Sequence, residues 1–303
     1  MTIRSIAIAS CKSVSQVLFI ENTVLGIIIL LAIAISSPLL GIIAFLSALI
    51  SVLIGIIGKA DEQLIHQGLL GYSPVLTGML LTLSLTGPYQ WIIALVGAAV
   101  TAFFTATVMH FMRGTGIPVL TFPFIIVSWL TLLASYRLDI IQLSSNLVPQ
   151  DLSRFDLNVG GSISNVEAML NGLGQVFFLQ NSLSAALLYI GLFWVSWRFG
   201  VLAIVGNIAA VLTAFALHGE HSLIQAGLFG YNAILVILAV TVVFKNASNR
   251  LAIVTGILGA CLAVPTTAAV TTFLMPYGLP VVTMPYVLCT WLLLGARKVF
   301  PNF

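Results

Sequence analysis

The chain has 303 residues, 60% of them hydrophobic and only 6% charged, where a soluble domain carries about a quarter charged. That excludes a soluble globular protein and specifies an integral membrane protein with many crossings. The net charge of +3 comes from scattered Lys and Arg and gives no signal for a nucleic-acid partner.

In chain order, residues 14–22 form an apolar piece too short to cross a bilayer, which takes about 20 residues; it reads as a re-entrant helix. Apolar runs follow at 23–36, 39–57, 69–86, 91–111 and 118–135. Residues 137–171 are hydrophilic, with Asp139, Asp151, Asp156, Glu167, Arg137 and Arg154, and read as an extracytoplasmic connector. The pattern then restarts with a short piece at 173–181 and runs at 182–197, 200–217, 228–244, 251–272 and 280–296. The expected fold is an all-α integral membrane protein of ten transmembrane helices plus two re-entrant pore helices. Met1–Asn22 lacks a long apolar core and a small-residue cleavage site, so no removable signal peptide is expected. Cys11, Cys261 and Cys289 are isolated, so no metal, redox site or cofactor is expected from them.

The restart is a repeat. Gln16-Val17, Phe19 and Asn22 recur as Gln175-Val176, Phe178 and Asn181, and Gly68, Gly71-Tyr72 and Leu76 recur as Gly227, Gly230-Tyr231 and Leu235. The offset is 159 in both cases (178 − 19 and 231 − 72). A longer phrase recurs at 162: Gly116-Ile117-Pro118-Val119-Leu120-Thr121-Phe122-Pro123-Phe124 with Trp129, and Gly278-Leu279-Pro280-Val281-Val282-Thr283-Met284-Pro285-Tyr286 with Trp291. A Gly-x-Pro opening suits a turn into a helix whose first residue is Pro118 or Pro280, and the second Pro is read as a further break that frees carbonyls beside the Thr. The halves are 1–136 and 172–303, flanking the 137–171 connector.

With a cytoplasmic N-terminus and five crossings per half, nine of the eleven Lys and Arg fall inside: Arg4, Lys12, Lys59, Arg113, Arg198, Lys245, Arg250, Arg297 and Lys298. Only Arg137 and Arg154 fall outside, as the positive-inside rule requires. Five is odd, so the second half is inverted relative to the first and both termini are cytoplasmic. Inverted repeats set a shared site at the midplane between halves, around a central pore.

The repeated polar residues, Gln16, Gln175, Tyr72, Tyr231, Thr121 and Thr283, are uncharged at neutral pH, whereas ion pathways carry intramembrane ionisable groups. Val17, Phe19, Leu76, Val176, Phe178 and Leu235 would make narrow apolar walls between them. Such a pore suits a small, neutral, strongly hydrogen-bonding solute. Moving an amide into hydrocarbon without partners costs about 4–8 kcal/mol, which slows crossing by roughly three to six decades. A line of acceptors removes most of that barrier without a coupling ion.

At these residues the chain resembles the urea transporter family, and the combination of doubled phrases covers nearly its whole length. The resemblance, most similar to bacterial members of the plasma membrane, implies a homotrimer with a separate pore in each protomer. It also implies passive passage of urea down its gradient. Thr121 and Thr283 would form the central constriction. Gln16, Val17, Phe19, Tyr72 and Leu76 would shape one mouth, and Gln175, Val176, Phe178, Tyr231 and Leu235 the other, with planar urea sliding between Phe19 and Phe178. Ile117 replaces a usual Leu, Tyr286 a usual Phe, and Ser73-Pro74 stands where Asn232-Ala233 stands in the second half.

Each reading has a plainer counterpart. A membrane Thr commonly bonds its own helix or a neighbouring one, and Gln16 and Gln175 could tie helices together. Gly68, Gly71, Gly227 and Gly230 read as helix-contact glycines, and His218-Gly219-Glu220-His221 is loose for a metal site. The competing functions are a pore for another small solute (short amides, ammonia, water), an ion-coupled transporter, or a membrane enzyme. The last would need a nucleophile–base pair or metal ligands at membrane depth, and the sequence offers no such set.

Overall fold

The computed structural model describes residues 1–145, 147–155, 157, 159–161 and 164–303. Asp156, one of the acids assigned to the connector, lies outside the described residues. The chain divides into two compact units, Met1–Pro149 with Tyr277–Leu279, and Gln150–Pro276 with Pro280–Phe303.

The first unit runs α1 (Ile3–Ser15), α2 (Thr23–Ser36), α3 (Pro38–Ile57), α4 (Glu62–His66), α5 (Tyr72–Ser84), α6 (Gln90–Met112) and α7 (Phe122–Ala134). The second runs α8 (Asn165–Gly174), α9 (Ser182–Val195), α10 (Trp197–Ala216), α11 (His221–Gln225), α12 (Gly230–Leu238), α13 (Ala252–Leu274) and α14 (Met284–Ala296). The starts of α2 and α9, α3 and α10, and α4 and α11 are 159 residues apart; those of α6 and α13, and α7 and α14, are 162 apart. Backbone conformations repeat too. Left-handed Phe19, Lys59, Gly68, Gly116 and Leu120 match left-handed Phe178, His218, Gly227, Gly278 and Val282. The extra three residues fall between α12 and α13.

Among the described residues four helices, α3, α6, α10 and α13, are long and apolar enough to cross a membrane, or up to six if each of two bent helix pairs counts as one span. The α5, α7 and α14 helices have only 13 residues each. At 1.5 Å per residue they reach about 20 Å, less than the ~30 Å hydrocarbon core. The long helices use small residues to meet their neighbours. On α6 these are Ala94, Gly97, Ala98, Thr101 and Thr105, and on α13 Gly256, Gly259, Ala260, Ala263 and Thr267. The opposite faces expose Ile92, Val96 and Phe103, and Ile253, Ile257 and Leu258, which suits lipid and not water.

Three local features differ from the sequence reading. The short pieces expected to be re-entrant extend backward: α1 begins at Ile3, and α8 begins at Asn165, inside the expected connector, capped by the Ser164 hydroxyl, which accepts from the Glu167 N–H. The connector's first part is no loose loop. Gln142–Leu143 pairs antiparallel with Leu85–Thr86, the one β-bridge among the described residues. Ile141, Leu143 and Leu147 pack on a core of Leu81, Leu85, Ala94 and Leu132. Finally, α7 and α14 begin at Phe122 and Met284, four residues after the Pro expected to open them. Leu120 and Val282, with φ of 54° and 46°, cannot lie within a right-handed helix. Pro123 and Pro285 therefore start the helices instead of breaking them.

Candidate functional site

Each unit builds a half-site around the first turn of one short helix, α5 in the first unit and α12 in the second. In the first unit, α1 runs into a 3₁₀ turn at Gln16–Leu18. Phe19 (φ 62°) ends the turn, its N–H donating to Gln16 O at 2.9 Å. The Asn22 side chain then caps α2 by accepting the Leu25 N–H at 2.9 Å, and the chain leaves bent by 77°. That hairpin is tight. A Cβ on Gly26 would overlap the Cys11 backbone, and one on Gly68 the Lys12–Ser13 backbone. The Gln16 amide donates to Gln67 O at 2.9 Å, so it ties the turn to the end of α4, the plainer role for that side chain.

The turn packs against α5, and α5 against α7. Tyr72, the first residue of α5, donates its hydroxyl to Leu120 O at 2.8 Å. Thr121 follows directly as the N-cap of α7, its carbonyl accepting the Ile125 N–H at 3.2 Å. Thr121, Val17 and Leu76 are buried, whereas Gln16, Phe19 and Tyr72 keep part of their surface. The start of α5 is thus tied to the peptide that leads into Thr121, and the left-handed Phe turn packs against the same helix.

The second unit repeats the arrangement. Gln175–Phe177 is a 3₁₀ turn closed by Phe178 (φ 57°), whose N–H donates to Gln175 O at 3.1 Å. Asn181 caps α9 by accepting the Leu183 and Ser184 N–H groups, and the bend is 78°. Tyr231 donates its hydroxyl to Val282 O, and Thr283 is the N-cap of α14, its carbonyl accepting the Val287 N–H at 3.1 Å. Val176, Leu235, Gln175 and Thr283 are buried. Here the tie to the neighbouring short helix comes one turn earlier, from Asn171 Nδ2 to Gln225 O at 2.8 Å.

Four of the six non-glycine residues with positive φ among those described, Phe19, Leu120, Phe178 and Val282, belong to these half-sites. Such conformations cost about 1–2 kcal/mol each for L-residues and gather where surrounding structure imposes them for function. Val282 is β-branched, which makes it the most costly of the four. The other two, Lys59 and His218, close the turns after α3 and α10. The His218-to-His221 stretch is engaged locally: His221 Nδ1 lies 2.9 Å from Gly161 O, and Glu220 accepts the Ser222 hydroxyl at 2.6 Å. Among the described residues no three His, Cys, Asp or Glu gather to hold a metal ion.

Two half-sites of one design, duplicated down to their left-handed residues, are joined by an independent finding from sequence comparison: the urea transporter family matches residues 7–298. The chain belongs to that family. Among its relatives, urea transporter 1 of Ovis aries is 24% identical over 307 residues, covering 96% of this chain and 77% of the sheep protein. Urea transporter 1 of Rattus norvegicus is 23% identical over 303 residues with the same coverage. With its apolar helices, this urea transporter family member is an integral membrane protein.

In this urea transporter family member, three residues of the two candidate half-sites are not among the twelve singled out from sequence. Leu120 and Val282 supply the carbonyls that the tyrosines bind, and an apolar residue bent left-handed leaves no mark in composition. Asn232 is the third. Its Nδ2 lies 3.4 Å from Val282 O and 3.4 Å from Thr267 Oγ1, and its Oδ1 accepts the Tyr286 N–H at 3.1 Å. Its signal was the mismatch with Ser73 between otherwise matching copies. The four repeat glycines behave as contact positions: a Cβ on Gly71 would strike Ser13 and Ser51, and one on Gly230 would strike Asn207.

Proposed function

We propose that the protein is a passive, selective channel for urea, in which the two half-sites line one uncharged hydrogen-bonding slit in each protomer. The observation that carries this reading is the duplicated half-site itself. Each copy offers a Tyr hydroxyl held on a strained carbonyl, a Thr at a helix start and an aromatic at a sharp turn, with no Asp, Glu, Lys, Arg or His among the twelve residues. Hydroxyl and carbonyl oxygens can accept the N–H groups of a planar amide, and flat rings exclude bulkier solutes. Because the lining carries no charge, nothing in it couples urea to an ion.

In this reading Thr121 and Thr283 meet at the constriction. Gln16, Val17, Phe19, Tyr72 and Leu76 shape one mouth, and Gln175, Val176, Phe178, Tyr231 and Leu235 shape the other. The halves 1–136 and 172–303 are inverted five-helix repeats, ten spanning helices and two re-entrant ones in all, of which α3, α6, α10 and α13 are long enough to cross alone and the shorter ones complete their crossings through the turns that flank them. Three copies assemble in a plasma membrane with both termini cytoplasmic. Support for the inversion is the distribution of Lys and Arg along the sequence; support for the trimer is the family resemblance.

The deciding test is urea flux into proteoliposomes holding the purified chain. The expected result is gradient-driven flux well above that of protein-free vesicles and unchanged by uncouplers or by removal of sodium. Flux that collapses with the proton or sodium gradient, or equal rates for urea and bulkier amides, would overturn it. The helix starts at Thr121 and Thr283 add partial positive charge, so ammonium current at neutral pH is expected to be absent.

A further inference from the structure

The two copies of the repeat differ in length where α12 joins α13. Five residues (85–89) separate α5 from α6, but eight (244–251) separate the end of the π-helical turn Ala239–Val243 from α13. The longer link contains Lys245 and Arg250, whereas residues 85–89 contain no basic residue. The structure folds the chain's last residues onto this link. Leu251 N–H donates to Asn302 O at 2.8 Å and Asn249 Nδ2 to Pro301 O at 2.8 Å. Arg297, buried at the end of α14, binds Phe244 O at 2.9 Å, Val240 O at 2.7 Å and Phe303 O at 2.9 Å.

Arg297 is thus an organiser. It satisfies carbonyls left over by the π turn and pins the tail, and its fixed fork suits that work better than Lys would. The result is one end of the unit where Lys245, Arg250 and Lys298 are all exposed. Each stands two residues from the end of an apolar helical segment: Val243, Ala252 and Ala296. No Asp or Glu follows Glu220 in the sequence. Flanking them, Ile253, Val299, Phe300 and Phe303 are exposed, and the last two rings stack edge-on at 6.2 Å. Cations beside exposed apolar and aromatic side chains at helix ends match the headgroup layer of a bilayer.

We propose that this tail-and-loop platform binds the phosphate headgroup of an anionic phospholipid through Lys245, Arg250 and Lys298, with the flanking apolar side chains against the acyl region. The corresponding link of the first copy lacks both the insertion and its charges, so the repeat scaffold folds without them. The site is separate from the twelve half-site residues and does not depend on how urea passes.

The test is native mass spectrometry of the full chain in detergent, titrated with phosphatidylglycerol or phosphatidylcholine. Each basic residue near an anionic surface contributes about fivefold, so Lys245→Gln/Arg250→Gln/Lys298→Gln is expected to lose about a hundredfold in phosphatidylglycerol affinity. Arg4→Gln/Lys59→Gln/Arg113→Gln, with the same loss of charge, is expected to retain it. Equal loss in both variants, or no loss in the first, would overturn the proposal. On the unaltered chain, 1 M salt is expected to abolish the preference for phosphatidylglycerol, and inorganic phosphate at tens of millimolar is expected not to displace the lipid. Displacement by phosphate alone would make this a free-anion site and overturn the lipid assignment.

Discussion

The Tyr72 hydroxyl donates 2.8 Å to the carbonyl of Leu120, a residue held left-handed at φ 54°. Tyr231 and Val282 repeat the pair in the second unit. The bond ties the start of one short helix to the peptide just ahead of the buried Thr, so it positions the Thr as well as a carbonyl. Tyr72→Phe keeps the ring and deletes the donor. It is expected to cost about 1–3 kcal/mol, since the Leu120 carbonyl loses its partner away from water, and to slow urea flux by about tenfold, which corresponds to ~1.4 kcal/mol. Thermal unfolding and stopped-flow flux on the same preparation check both.

The two copies should not respond alike. In the second unit Asn232 Nδ2 also reaches toward Val282 O, at 3.4 Å, while Ser73 occupies the matching position in the first. Tyr231→Phe is therefore expected to destabilise by less than Tyr72→Phe, under about 1 kcal/mol. Asn232→Ala, which strips the acceptor from the Tyr286 N–H, is expected to cost about 1–3 kcal/mol. The double variant should cost more than the sum, because the two side chains share one carbonyl. An additive cycle would mean that Asn232 serves Tyr286 and Thr267 only.

How much of this was legible in the sequence depends on where the apolar signal lay. The run at 39–57 became α3 (Pro38–Ile57), 91–111 became α6 (Gln90–Met112), and 251–272 became α13 (Ala252–Leu274), because a long run of Leu, Ile, Val and Ala has one way to hide its backbone in lipid. The α1 helix was hidden. Its Ser5, Ser10, Ser13 and Ser15 lower its hydropathy, yet Ser10 and Ser13 bond back to Ile6 and Ala9 carbonyls at 3.0 Å and are buried. The helix starts at Phe122 and Met284 were misplaced by four residues for a different reason. Proline marks a start wherever it stands, and only the left-handed Leu120 and Val282 decide which of two prolines does so.

Gly68 and Gly227 should tolerate no side chain. Both have positive φ (74° and 76°), and a Cβ would overlap the backbone of α1 at Gly68 and of α8 at Gly227. Strain from the left-handed backbone costs about 1 kcal/mol, and the overlap cannot be relieved by a side-chain rotation. Gly68→Ala and Gly227→Ala are each expected to lose more than about 3 kcal/mol. Gly114→Ala, with φ 91° but nothing within 4 Å, is the control and is expected to lose only about 1 kcal/mol. Yield of folded protein and melting temperature in detergent separate the two cases. Equal losses at all three positions would place the cost in the backbone angle and not in the packing of α1 and α8.

The threonines carry the last prediction. Thr121 and Thr283 are buried at 5% and 4% relative exposure, each at the start of a helix whose first turn holds a proline. Valine has nearly the same volume but no hydroxyl, and the bond at each helix start is accepted by the Thr carbonyl, which the substitution keeps. Thr121→Val with Thr283→Val is therefore expected to fold with a modestly lower melting temperature and to pass urea about tenfold more slowly or worse, each lost hydroxyl removing about 1 kcal/mol of hydrogen bonding from the solute's path. In the unaltered chain the flux should be flat between pH 6 and 8.5. The only titratable side chains among the twelve half-site residues are two tyrosines, and phenols are neutral until about pH 10. A flux that survives both substitutions at full rate would take the threonines out of the path. A steep pH profile would require an ionisable group outside the twelve.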